Sequence, residues 1–347
     1  MAVTFTGTKL PQTELAEIQQ ELYQDSATFR EKWVDIQEGH KSGTDVYESK
    51  VSVTAKAATS GKVVADASID LQAQKTPVTL VSIEFSDIID ESTLLDTRFE
   101  RSMAAGAFNR ISNEFDNAVL QQVTPAIGET LENMIWDGAT AAQKVLIAAL
   151  VPGAPQGSIS AGAQTLAAAM PVNLVNSLPA TILHNASQSK AVPGAGLGDY
   201  KKVLTIAAVT AATIAAEYAK IYSTAPSKVI NNKTNVPFIY APLGDMQLIK
   251  VANNSVGAAS NKNFLVEGSG TSEKISYNGI EIKFVPLVGF RILSDPRYLK
   301  VIMDLTSDMS SLNIGEVGEG AMQRYVKNIQ TITTWCTNQR YITLYGG

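Results

Sequence analysis

The sequence predicts an α+β protein, and three observations predict it: a two-armed β-hairpin over residues 46–74, a helix of unusual length after it, and a later stretch where helices alternate with strands. The hairpin is the most informative. Val51, Val53 and Ala55 alternate with Lys50, Ser52, Thr54 and Lys56, and Val63, Ala65, Ala67, Ile69 and Leu71 alternate with Asp66, Ser68, Asp70 and Gln72. Ser60-Gly61 is the turn between the arms. A lone two-stranded ribbon is marginal in water, and a face built largely from Ala and Val contributes little on burial. The partner is therefore expected to be another molecule, with Val51, Val53, Ser60, Gly61, Ile69 and Leu71 as candidate inter-subunit contacts. The alternative is a hairpin packed on its own domain.

Ahead of the hairpin, Leu15, Ile18, Leu22, Phe29 and Trp33 form the apolar stripe of a short helical arm, interrupted near Asp25-Ser26 and ended by Gly39 to Gly43. After it, Val78 to Phe85 reads as a strand, and Asp90 or Ser92 as a helix cap. Thr93 to Val123 then carries Leu95, Phe99, Met103, Phe108, Ile111, Phe115 and Val119 on one stripe. Some thirty helical residues span roughly 45 Å, the length of a beam across a flat domain. Thr124-Pro125 is expected to end this helix, and Ile127 to Trp136 to form a second one that closes at Asp137-Gly138.

From Ala139 to Gly198 the chain is rich in Ala, Gly, Ser and Pro, which predicts short segments and a domain boundary. An Ala-rich helix to Tyr222 follows, then a strand Val236 to Tyr240 stopped by Pro242, and a helix Asp245 to Val251. Tyr277-Asn278-Gly279-Ile280 is a strong hairpin signal, and Arg324 to Tyr345 reads as two or three strands.

The 347 residues allow two or three compact units, and 45% hydrophobic with 18% charged residues excludes an intrinsically disordered chain. A formal charge of −5 argues against a protein that grips DNA by neutralising phosphates. The single cysteine, Cys336, excludes an intrachain disulfide and a four-cysteine zinc site, and is read as a small buried hydrophobe. No signal peptide is evident, which points to synthesis in a cytoplasm. Val203 to Ile221 is apolar enough to suggest a membrane span, but Glu217 and Lys220 make it a buried soluble helix, so no membrane partner is expected.

Catalytic chemistry finds little to stand on. The two histidines, His40 and His184, are isolated in sequence; His40 sits in a Gly-Ser loop, and His184 reads as a structural residue at a strand edge. Gly194 to Gly198 lacks the spacing and the lysine of a phosphate-binding loop. Asp87, Asp90, Glu91 and Asp96 suit a helix N-terminus. Trp136 and Trp335 are core or interface anchors. No catalytic, cofactor-binding or metal-binding residue is assigned, and no cofactor is expected.

The order of elements, together with Val236-Pro-Phe-Ile-Tyr-Ala-Pro and Tyr277-Asn-Gly-Ile-Glu-Ile-Lys-Phe-Val-Pro, resembles the tailed-phage major capsid proteins of the HK97-like fold. Glu129-Thr-Leu-Glu-Asn-Met-Ile-Trp-Asp-Gly resembles that family's segment after its spine helix, and Asp295-Pro-Arg-Tyr-Leu-Lys-Val-Ile-Met-Asp-Leu its return from the axial domain. The resemblance implies an N-terminal arm at 1–45, an extended loop at 46–76, a peripheral domain at 77–164 with its spine at 93–123, an axial domain at 165–295, and a return to the peripheral domain over 296–347. It implies hexamers and pentamers closing an icosahedral shell around double-stranded DNA without sequence-specific contact, in a virion assembled in the host cytoplasm. A portal, and separate scaffolding or decoration proteins, are the further implied partners. No coiled-coil-like scaffold segment precedes residue 45, so a scaffold is expected to be separate or absent. Lys50, Lys56, Lys62 and Asn338 are available for the Lys–Asn cross-link that some members form.

Three other readings compete. An encapsulin-like compartment would enclose enzymes instead of a genome. An α/β hydrolase or small-molecule binding domain would use His184 or the Gly194–Gly198 loop. A tail-tube or other ring-forming virion protein would share the hairpins but would not need so long a helix.

Overall fold

The computed structural model describes residues 26–41, 45–53, 69–90, 113–149, 161–187, 201–204, 209–232, 235–254, 264–268, 273–304, 313–316, 323–338 and 341–346. In chain order these form α1 (Ala27–Arg30), β1 (Asp35–Gln37), β2 (Asp45–Val53), β3 (Ile69–Pro77), β4 (Val81–Asp90), α2 (Asn113–Trp136), α3 (Ala141–Ala148), α4 (Ala161–Ala169) and α5 (Leu178–Ser187). There follow β5 (Lys201–Leu204), α6 (Ile214–Thr224), α7 (Ser227–Ile230), β6 (Phe238–Pro242), α8 (Leu243–Asn254), β7 (Phe264–Glu267), β8 (Lys274–Tyr277), β9 (Ile280–Val285) and β10 (Phe290–Ser294). The last are β11 (Leu299–Met303), β12 (Asn313–Glu316), β13 (Gln323–Cys336) and β14 (Thr343–Gly346).

The described residues divide into two units, one drawn from 1–41, 80–135 and 301–333, the other from 42–79, 136–300 and 334–347. In the first, β13 is the long strand of a sheet ordered β1-β11-β13-β12, and β4 pairs antiparallel along it from Gln323↔Asp90 to Ile332↔Val81. Its even-numbered residues Val326, Asn328, Gln330 and Ile332 are buried while the odd ones are half-buried, as a strand covered mainly on one face requires. Ile127 and Leu131 of α2 pack with Val123 and with Phe85 of β4.

The second unit holds a mixed sheet ordered β5-β14-β10-β6-β9-β8-β7, with β6–β9 and β14–β5 parallel. Its core gathers Ile214, Tyr218 and Ile221 of α6, Ile249 and Ala252 of α8, and Ile239, Ile282, Leu293 and Tyr345 of the sheet. Trp136 is fully buried here, its ring 4.9 Å from that of Tyr240. The Asn278-Gly279 hairpin forms as the sequence predicts: both residues have positive φ, +48° and +81°, the combination a type I′ turn demands.

Several sequence expectations need correction. Pro125 does not end a helix; α2 runs through it, and the two expected segments are one. A mid-helix proline costs about 3 kcal/mol, but Ile127, Leu131 and Ile135 recur on one buried face beyond it, and that burial outweighs the cost. The strand after the hairpin starts at Val81 and continues to Asp90, so Asp90 is a strand residue paired with Gln323 and not a cap. The Ala-rich helix is confined to α6: Lys201–Leu204 pairs as a strand with β14, and Thr210 and Thr213 bond one another at the helix start, where hydroxyls compete with a helical ladder.

The Ala- and Pro-rich region holds three short helices among the described residues, α3, α4 and α5, with Pro171 and Pro179 at helix margins. His184 lies within α5, not at a strand edge. In the C-terminal tail, β13 pairs with β4, and β14 pairs with β10 and β5. The arm before Ser26, the expected spine residues 93–112 and the Gly194–Gly198 loop lie outside the described residues.

Candidate assembly surface

β2 and β3 form a sheet of their own, paired with no other strand among the described residues. The register sets Val51 opposite Leu71 and Val53 opposite Ile69, with Ser49 opposite Ala73 on the same face; Lys50↔Gln72 and Ser52↔Asp70 occupy the other. Four of the six candidate contact residues are thus gathered on one face of the ribbon. Ser60 and Gly61 lie outside the described residues. At the root, Val46 and Val78 are buried. A lone two-stranded ribbon is marginal in water, so its stability depends on what lies beyond its own pairing.

The unit that carries the ribbon is stiffened by buried charge. Arg291 of β10 donates from Nε and Nη2 to both carboxylate oxygens of Asp245 in the first turn of α8, and Tyr218 of α6 donates to the same carboxylate at 2.9 Å. Nearby, Glu217 accepts from Lys220 at 2.7 Å and from the Tyr345 hydroxyl at 2.6 Å. Burial drives the Glu217 carboxyl up, but Lys220, Tyr345 and the more distant Arg291 outweigh it and hold it below its ordinary value. Burial first, then the neighbouring Asp245 carboxylate, pushes the Tyr218 phenol well above its ordinary range, so it stays a donor. Two helices and two strands are locked in one arrangement by groups whose release would strand a buried charge.

In the other unit the segment after residue 25 is fastened to α2. The Glu132 carboxylate accepts the Ala27 amide at 3.2 Å and the Thr28 hydroxyl at 2.8 Å, while Phe29, Trp33 and Val34 are buried. Sequence reasoning missed this anchor. Thr28 and Glu132 stand 104 positions apart, and no local pattern links them.

Between α2 and β4 lies a cavity of about 490 Å³ with Phe85, Asp87, Val123, Ile127, Thr130 and Val326 in its wall. The Thr130 hydroxyl is engaged with the Ala126 carbonyl at 2.7 Å. Cys336 is buried. Among the described residues no group of three or more His, Cys, Asp or Glu could hold a metal ion, and no helix is long and apolar enough to cross a membrane.

No family model and no curated protein sequence matches the chain. Solved structures do. The capsid of a native GTA particle aligns with a TM-score of 0.52 at 8% identity, over 100% of this chain and 93% of that one. The capsid of Myoviridae phage XM1 aligns at 0.47 and 10% identity over 92% and 91%, and the holo-SrpI encapsulin complex from Synechococcus elongatus at 0.45 and 8% over 100% and 92%. A likeness spanning the whole chain at so little identity is a likeness of architecture, and that architecture is the HK97-like capsid fold.

Proposed function

We propose that this chain is a structural major capsid protein that assembles, as hexamers and pentamers, into an icosahedral shell around double-stranded DNA. The observation that carries the reading is the ribbon β2–β3, a sheet of its own among the described residues, on a fold shared with a GTA capsid. Val51, Val53, Ile69 and Leu71, with Ser60 and Gly61, contact a neighbouring copy. A contact of this kind repeated around an axis closes a ring, and one chain fills rings of two sizes when its appendages bend and its body does not. The mapping onto arm, extended loop, peripheral and axial domains is part of the same proposal, as are a portal and separate scaffolding or decoration proteins. The protein acts by assembling, not by catalysis, in the virion shell.

The test is expression of the full chain, alone and with the neighbouring genes, followed by negative-stain electron microscopy. Closed shells, or rings of five and six, support the reading. Val51→Asp with Leu71→Asp is expected to leave the subunit folded and abolish shells. DNA inside particles made in a productive infection supports genome enclosure, whereas protein cargo would favour an encapsulin-like compartment. A subunit that stays monomeric at every concentration and with every neighbour sinks the proposal.

A further inference from the structure

Helix α3 is inside out. Its sequence, Ala141-Ala-Gln-Lys-Val-Leu-Ile-Ala148, places Gln143 and Ile147 on the buried side, and the Gln143 Nε2 finds no hydrogen-bond partner there. Ala141, Ala142, Val145, Leu146 and Ala148 are exposed, Val145 at 70% and Leu146 at 47%. A surface helix of a free-standing protein shows the opposite arrangement, polar residues out and apolar residues in. Lys144 is the one charged residue of the helix, and its ammonium is tied back to the Met170 carbonyl at 2.6 Å.

The apolar surface continues past the helix. Ala139 exchanges backbone hydrogen bonds with Pro171 and Asn173, both at 3.0 Å, which fixes the segment 171–174 beside the start of α3. Val172 and Leu174 on that segment are 64% and 57% exposed. Together the four large side chains leave on the order of 400 Å² of apolar area in water, the size of the largest patch on an ordinary monomer, which is often a functional one. The surrounding alanines allow another backbone to come close.

We infer that α3 and the segment 171–174 form an interface with a second copy of this chain, separate from the ribbon contact; the inference rests on the shell reading above. Area and composition together argue for the occupant. About 400 Å² from four side chains is already half of the ~800 Å² that a stable interface removes from each partner. A patch without charge gives no electrostatic steering toward a transient partner, whereas permanent homo-oligomeric contacts are the more apolar ones. A ring or shell provides such a contact on every subunit.

The experiment uses the full chain carrying Val145→Lys with Leu146→Lys, and in parallel Val145→Leu with Leu146→Val, which keeps the patch apolar. Both pairs are exposed, so both variants are expected to fold with the circular dichroism of the parent. The lysine variant is expected to lose rings and shells at concentrations at least tenfold above those at which the parent assembles, and the apolar variant to assemble normally. Separately, Leu146→Cys is labelled with a maleimide before and after assembly, with a rate that falls at least tenfold in the assembled state. Normal shells from the lysine variant, or an unchanged labelling rate, would overturn this interface and leave the shell reading standing. A parent that forms no oligomer at all would overturn both.

Discussion

Arg291 and Asp245 form a bidentate ion pair inside the second unit, with Nε–Oδ2 at 2.6 Å, Nη2–Oδ1 at 2.7 Å, and both side chains about 95% removed from solvent. The pair joins β10 to the first turn of α8, and Tyr218 adds a third donor from α6. Arg291→Met leaves the carboxylate buried with one donor, and is expected to destabilise the unassembled subunit by about 3–5 kcal/mol. The double variant Arg291→Met, Asp245→Leu is expected to lose less than Arg291→Met alone, because no charge is stranded. Urea unfolding measures both; a double variant less stable than the single one would refute the account.

Glu217 gives the protein an acid-sensitive term. Its folded value lies below the ordinary 4.5, so the unfolded chain takes up a proton at higher pH than the folded one does. The stabilisation is present above about pH 4.5 and is lost as pH falls through the folded value. Tyr345→Phe removes one donor and is expected to flatten the dependence of melting temperature on pH below 4.5, and Glu217→Gln to remove this contribution. Unchanged acid branches in both variants would count against the assignment.

Gln330 is fully buried in β13, opposite Ile83 of β4, and neither amide atom has a hydrogen-bond partner. Each unpaired buried group costs about 1–3 kcal/mol. Gln330→Leu or Gln330→Met is therefore expected to raise the melting temperature by several degrees, at roughly 2–4 °C per kcal/mol for a chain of this size. A lower melting temperature in both variants would show that the amide is satisfied in solution.

Two glycines separate backbone strain from steric clash. Gly279 has φ +81° with open space where a Cβ would stand, so Gly279→Ala is expected to cost only about 1 kcal/mol. Gly138 has φ +94°, and a Cβ there would lie 2.1 Å from the Asn173 Nδ2, whose amide donates to the Asp137 carbonyl at 2.7 Å. Gly138→Ala breaks that turn as well as straining it, and is expected to cost at least twice as much in thermal unfolding. Equal losses would mean that the Asn173 bond contributes nothing.

The parts legible in the sequence were those governed by neighbours in the chain. Period-two alternation placed β2 and β3, and Asn278-Gly279 placed the β8–β9 turn because positive φ at two successive residues is a local demand. The reading of Cys336 as a buried hydrophobe held for the same reason of composition. Local rules misled where packing opposed them: Pro125 looked like a stop, and the apolar run from Val203 looked like a single helix, yet the first is overridden by the buried face of α2 and the second is divided by strand pairing to β14.

By itself, then, the sequence determined the class of fold and the ribbon, since these follow from side-chain period and turn chemistry within a few residues. Tertiary structure alone decided that Glu132 holds Thr28, that Asp245 meets Arg291, and that α3 turns its apolar side to water. Those facts depend on which distant segments share a surface, and the energy that selects them is burial summed over contacts between residues tens to more than a hundred positions apart.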